Sequence, residues 1–390
     1  MMRMEKRQTD FVGNDKIFYI MAKTISYFKL EEVLKRACAR QCLSNEEIIF
    51  LLSLKEEEEI NQLFHRARSL RQRYFGNKIF LYGFIYFSTY CRNHCTFCIY
   101  RSPNRLCLRY RKSESEIIEI AQGLAESGVH LIDLTMGEDP LYYLQNDGFK
   151  SLVELIGKVK QETGLPVMIS PGVVPKQVLV ALADMDIDWY ACYQETHNRQ
   201  LFRYLRPNQS YDSRLEEKYF ARELGLLVEE GILAGVGESR IDIAASMQAM
   251  RDLGAHQVRV MSFIPQRGSP MSSWPSPPRI YEMKIIAVLR LLFPDRLIPA
   301  SLDIDGVQGL QERLKAGANV VTSLIPAHTG LAGVAQASLD IGGGYRTVKS
   351  VLPILEGLGL RTAKVEDYGH WIHMERNELV KQGIYNGIKK

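Results

Sequence analysis

Three cysteines crowd into the run Phe87–Tyr100: Cys91, Cys95 and Cys98, spaced Cys-x3-Cys-x2-Cys. Thiolates this close repel one another unless a metal neutralises them. Three soft ligands on one short loop suit an iron–sulfur cluster or zinc. A structural zinc site takes four protein ligands, usually as paired Cys-x2-Cys knuckles, and no second knuckle is present. Three thiolates on a 4Fe–4S cube leave one iron open to an exogenous ligand. His94, inside the loop, reads as a solvated side chain rather than a fourth ligand. Cys38, Cys42, Cys107 and Cys192 read as free thiols, most simply packing residues.

A second set of polar residues sits within, or just after, apolar runs. Asp133 interrupts one run, and Gly137, Glu138 and Asp139 follow it. Ser170 ends another, Gln194-Glu195-Thr196 a third, and Ser301-Leu302-Asp303 a fourth. Arg259 lies inside Val258-Arg259-Val260. An arginine in an apolar strand is costly unless paired, and a guanidinium suits bidentate capture of a carboxylate. Asp133 and Asp303 are acceptors suited to ammonium groups. One cationic and two anionic anchors fit an amino acid with two amines. The competing expectation is a structural ion pair between Arg259 and Asp303 or Asp133. Glu195, with Arg206 and Arg214 after it, offers an acid for an amine or ribose and arginines for a carboxylate. Glu195 as a plain helix-start residue and Ser170 as a helix cap are the alternatives.

The elements that must position these residues follow from periodicity. Strand-like runs cover Lys78–Phe87, Val129–Met136, Pro166–Ser170, Ile187–Tyr193, Leu226–Val236, His256–Ile264, Leu297–Leu302 and Asn319–Leu324, with helical patterns between them. Those patterns include Ser115–Glu126, Phe149–Glu162, Glu216–Leu224, Ile241–Leu253, Glu282–Leu292 and Val307–Lys315, and a further one spans Tyr345–Leu358. Eight βα units in order predict an α/β fold, a (β/α)8 TIM barrel, whose function gathers at the strand C-termini. A doubly wound sheet is the alternative, but a cysteine loop rather than a glycine-rich fingerprint follows the first strand. Residues 1–77 form an N-terminal extension. It is helical from Leu30 to Arg73, with a capping box at Ser44 and Glu47 and a helix start at Glu56–Glu59. Residues 1–28 read as a frayed extension or small docking segment. The barrel spans 78–360, and 361–390 is a tail whose His370-x-x-His373 pair reads as a surface helix or an interface with the N-terminal segment.

The bulk numbers narrow the class. Of 390 residues, 49 are basic and 45 acidic, a net charge of +4 too mild to argue for nucleic acid. No apolar run reaches the ~18 residues of a membrane span. Seven cysteines, an odd count, point to a reducing cytoplasm.

The cysteine spacing, with Phe97 before the last cysteine, resembles the signature of enzymes that cleave S-adenosylmethionine (SAM) to start radical chemistry. With the runs Asp133–Pro140, Tyr193–Thr196, Val258–Met261 and Pro299–Asp303, the chain closely resembles the methylornithine synthase family over roughly residues 44–360. Biotin synthase and a hydrogenase-maturation enzyme are its wider relatives. The resemblance implies a cluster on Cys91, Cys95 and Cys98, with SAM on the open iron and Glu195 and Arg214 matching the methionine-binding pair. It implies that Arg259 anchors the substrate carboxylate, Ser301 and Asp303 the α-amino end, and Asp133 the distal amine. The implied reaction converts L-lysine to (3R)-3-methyl-D-ornithine, the first step of pyrrolysine biosynthesis. A 5′-deoxyadenosyl radical abstracts hydrogen from Cγ, the Cα–Cβ bond breaks, and the fragments recombine. An electron donor such as a flavodoxin or ferredoxin is required. The longer termini and Arg101–Asn104 depart from archaeal members, so another amino acid is the alternative substrate.

Overall fold

The computed structural model describes residues 28–335 and 346–385. Expectations for the first 27 residues and for Tyr345 fall outside the described residues. Among the described residues are nine parallel strands: β1 (Lys78–Ser88), β2 (Leu131–Met136), β3 (Val167–Ser170), β4 (Trp189–Ala191), β5 (Leu227–Ala234), β6 (Gln257–Ser262), β7 (Pro299–Ser301), β8 (Val320–Leu324) and β9 (Arg361–Thr362). The order β6-β5-β4-β3-β2-β1-β8-β7 carries the first eight round an almost complete circle. The ends meet at a single parallel bridge, Gln257 with Leu297. There Val258 N–H donates to the Leu297 carbonyl at 3.0 Å, and Leu297 N–H to the His256 carbonyl at 3.2 Å. The barrel is therefore laced shut at its base between β6 and β7 and splays toward its mouth.

Each of the first eight strands is buried on both faces, against helices outside and side chains inside, which is why β1 reads as an unbroken apolar run. Gly83 in β1 has a packing reason. A Cβ there would come within 2.8 Å of Leu124 on the helix Glu114–Glu126, so that helix sits directly on the strand. The helix starts where Ser113 and Glu116 close a capping box.

The N-terminal helices Leu30–Cys38, Asn45–Ser53 and Glu57–Phe75 share one core with the barrel. The expected capping box at Ser44 and Glu47 opens the second of them. Lys284, on the helix Arg279–Leu292, gives its ammonium to the carbonyls of Leu52 and Leu54 at 3.0 and 2.9 Å. Expected and observed element bounds differ mainly in length. The fourth and seventh strands are three residues each, and Val307–Lys315 divides into a 3-10 turn and the short helix Leu310–Lys315.

The tail carries more structure than its polar composition suggests. Thr362 and Arg361 pair with the start of β1, and the helix Val365–Lys381 packs across the barrel base. Tyr368, Ile372 and Leu379 give it one buried stripe. The Tyr368 hydroxyl bonds that of Tyr82 at 2.7 Å, and Trp371 stacks on Trp189 at 5.8 Å and 6°. His370 and His373 face outward on this helix, and no group of three or more metal-ligating side chains occurs among the described residues that could hold an ion. Nor is any described helix long and apolar enough to cross a membrane.

Candidate active site

The loop after β1 carries the three thiols to the mouth. They stand over a cavity of about 230 Å³. Cys91, Cys95, Cys98, Gly137, Glu138, Ser170, Glu195, Arg206, Arg214 and Arg259 all line it. Asp133, Ser301 and Asp303 do not; they are buried in the barrel wall.

The thiols are placed by close packing. Gly137, just past β2, presses on the loop: a Cβ there would lie 2.4 Å from the Tyr90 carbonyl oxygen and 2.7 Å from Cys91 Cβ. Gln209 donates to Cys95 Sγ at 3.1 Å and Arg206 at 3.6 Å. Burial, with repulsion from Cys95, pushes the Cys91 thiol up to about 11. Burial followed by Cys95 and Cys91 raises Cys98 as well. Thiols such as Cys91 and Cys98, raised in this way, become ligands when a cationic group neutralises them. A structural zinc site takes four protein ligands, and this loop supplies three thiols. The donor set fits a larger polynuclear cluster with one iron left open.

Glu195 follows β4 at φ 68°, a left-handed conformation uncommon outside glycine. Its carbonyl accepts from Leu233 N–H at 3.0 Å, and the preceding Gln194 N–H donates to Glu230 at 2.8 Å. The turn aims its carboxylate at Arg206, 2.6 Å away. Burial would weaken the Arg206 cation, but Cys95 and Glu195 hold its pKa above the ordinary value. Arg214 has different partners: it donates twice to the Tyr193 carbonyl, at 3.2 and 2.9 Å, and lies 3.7 Å from Glu138. Glu195 is thus paired with Arg206, not with Arg214.

On the wall, Arg259 donates Nε to Glu229 at 2.6 Å, so its structural partner is neither Asp133 nor Asp303, the two carboxylates of the competing expectation. The other Glu229 oxygen accepts from the Tyr193 hydroxyl at 2.7 Å. Burial works against the Arg259 cation, yet Glu229 and Tyr193 raise its pKa above the usual value. Its Nη2 is buried without a hydrogen-bond partner, and Nη1 meets only the Met261 sulfur at 3.8 Å. Glu229 was the residue that strand periodicity could have flagged. Side chains alternate along β5, so adjacent Glu229 and Glu230 point oppositely. Glu229 turns into the lumen, and Glu230 turns outward to a fully buried ion pair with Lys218.

Asp133, in β2, is fully buried below this level. Its Oδ1 accepts from Thr135 at 2.9 Å and Ser170 at 3.4 Å, while Oδ2 has no partner. Burial, with Glu229 nearby, pushes its carboxyl up to about 7 despite Arg259. Asp303, past β7, is fully engaged: Arg346 and the Tyr86 hydroxyl each donate to one oxygen at 2.7 Å. Ser301 Oγ accepts from the Asp303 N–H at 3.2 Å. Arg346 had escaped notice because it lies on no strand end.

Comparison with known proteins places this geometry. Residues 85–250 match the model of the Radical SAM superfamily. The chain is 45% identical over 326 residues to the 3-methylornithine synthase of Methanosarcina acetivorans, covering 84% of this chain and 92% of that one. It is 30% identical to the [FeFe] hydrogenase maturase subunit HydE of Thermotoga maritima, over 75% of this chain and 82% of that one. The crystal structure of methylornithine synthase (PylB) superposes with a TM-score of 0.82 at 42% identity, covering 87% of this chain and 99% of that one.

Proposed function

The chain belongs to the 3-methylornithine synthase family of the radical SAM superfamily, and on that premise we propose that it converts L-lysine to (3R)-3-methyl-D-ornithine. One observation carries the substrate reading: a single cavity has cluster thiols at its top and, on its wall, a guanidinium with Nη2 uncommitted. A buried donor of this kind is costly until an acceptor arrives, and an α-carboxylate supplies one with matching planar geometry.

When bound, the 4Fe–4S cluster and SAM supply a 5′-deoxyadenosyl radical, after one electron from a donor such as a flavodoxin or ferredoxin. Cys91, Cys95 and Cys98 hold the cluster. Glu195 and Arg206, already paired across the cavity wall, are placed to meet the amine and carboxylate of the methionine moiety, with Ser170, Gly137, Glu138 and Arg214 around them. Arg259 fixes the lysine carboxylate. The free Oδ2 of Asp133 takes the distal ammonium, and Ser301 and Asp303 serve the α-amino end. Because both Asp303 oxygens are held already, an ammonium shares that carboxylate with Tyr86 and Arg346. Anchors at both termini keep the two halves of the skeleton in place while the bond between them is exchanged, which is a positioning task. The buried wall keeps water from the reacting carbons.

The test is anaerobic incubation of the reconstituted enzyme with lysine, SAM and dithionite, followed by mass and NMR analysis. A branched isomer of lysine supports the reading. SAM cleavage with lysine recovered unchanged overturns it.

A further inference from the structure

Three segments surround the cluster thiols: residues 91–113, 199–211 and 263–281. They are stitched together. Thr96 N–H donates to the Leu205 carbonyl at 2.9 Å, Met271 N–H to the Thr96 carbonyl at 3.4 Å, and Asn104 Nδ2 to the Arg267 carbonyl at 2.9 Å. The chain as a whole is nearly balanced in charge, with 49 basic and 45 acidic residues. These segments hold six, three and two lysines or arginines in turn and no aspartate or glutamate, and carboxylates outside them pair with Arg92, Arg111, Lys112, Arg199, Arg206 and Arg279. Some of those cations have internal work. Arg109 binds the carbonyls of Thr89, Tyr100, Arg101 and Asn104, which fixes the shape of the loop after the cysteines. Arg105 and Arg267 are exposed and form no ion pair among the described residues.

Between those two arginines and the cluster lies an apolar platform. Leu106 is 63% exposed and Leu108 47%. They flank Cys107, which is buried with Ile99 and Tyr100 in a small core against which Cys91 and Cys98 pack. The exposed leucines are therefore one layer of packed side chains from the cluster ligands. A rigid apolar centre with a cationic rim is the form of a transient docking face for an anionic protein.

We propose that the Arg101–Arg109 loop, with Arg267 beside it, docks an acidic one-electron carrier protein that reduces the cluster. The proposal rests on the radical SAM reading above, which requires that electron. The carrier gives up one electron, the cluster takes it up, and no bond forms between the proteins. Complementary charge steers the encounter and sets its rate, while the leucines bring the two redox groups within a short protein path.

The experiment mixes reconstituted enzyme anaerobically with reduced flavodoxin, an acidic one-electron flavoprotein, and follows loss of the oxidised-cluster absorbance; a parallel arm uses dithionite. The flavodoxin rate is expected to fall steeply as ionic strength rises. In R105E/R267E it is expected to drop about tenfold or more, with the dithionite rate changed by less than about twofold. L106S, which keeps the charge, is expected to slow flavodoxin reduction by about threefold or more at every salt concentration. A flavodoxin rate equal to wild type in R105E/R267E, or independent of salt in the wild type, overturns the docking face alone. Failure of dithionite to reduce the wild-type cluster overturns the radical SAM reading and the docking face with it.

Discussion

Arg259 spends one edge of its guanidinium on Glu229, at 2.6 Å through Nε, and keeps Nη2 buried and unmatched. Glu229 neutralises the charge and holds the guanidinium in the cavity wall. The pair is both a solution to the burial of a cation and half of a binding site.

Removing that cation should separate binding from radical initiation. Truncating one partner of a buried charge contact costs about 2–5 kcal/mol, at least ~30-fold in rate or affinity. Arg259→Gln is expected to lose lysine turnover by that margin or more, while SAM cleavage stays measurable. Parallel assays of the branched product and of 5′-deoxyadenosine check this.

Glu229 acts on substrate only through Arg259, and is a positioning residue. Glu229→Gln keeps the shape and the Tyr193 contact but removes the charge. It is expected to lower kcat/KM for lysine by about tenfold or more, with iron content unchanged. Partial rescue by Glu229→Asp distinguishes aiming from mere packing.

Asp133 gives the fold a pH signature. Its carboxyl is raised from 3.8 to about 7, chiefly by burial. The folded state then holds a proton that the unfolded chain has released, so stability falls as pH rises from about 4 to about 7. Asp133→Asn removes this dependence. It is expected to raise the melting temperature at pH 8 relative to wild type, more than at pH 5, and to abolish lysine turnover. Thermal melts across that range decide the matter.

Gly137 is sensitive for a steric reason. Gly137→Ala drives a methyl into the Tyr90 carbonyl and Cys91 Cβ, where neither can yield without moving a cluster ligand. Loss of bound iron and of cluster absorbance after reconstitution is expected, and iron analysis of the purified variant reads it.

At the base, Tyr368→Phe leaves the buried Tyr82 hydroxyl without its 2.7 Å partner. Leaving such a group unpaired costs about 1–3 kcal/mol, so urea unfolding should shift to lower midpoints by that amount. Neither tyrosine lines the cavity, and the rate of lysine turnover per folded molecule should hold.

Much of this molecule is legible in its sequence because two simple signals coincide. Parallel strands buried on both faces appear as apolar runs, and eight of them in series left little room for another architecture. The cysteine triplet and Arg259 stood out because thiols at that spacing and a cation in a strand are both expensive without a purpose. What stayed hidden was partnership. Glu229 and Arg259 are 30 residues apart, and nothing local shows which carboxylate a lumen arginine meets; Asp133 and Asp303 were equally plausible. Arg346 reaches Asp303 across 43 residues, from the start of a helical pattern and not from a strand end. The tail helix was hidden for another reason. Its polar residues outnumber its buried ones, and only the spacing of Tyr368, Ile372 and Leu379 betrays the face that packs on the barrel.

That helix has a consequence for traffic through the enzyme. With Tyr368 and Trp371 sealing the floor, and β6 and β7 parted only toward the rim, whatever enters must come and go by the end where the cysteines stand. Asp133 lies below them. On the proposed role of Asp133, the amino acid is expected to be seated before SAM arrives above it, and to leave after it.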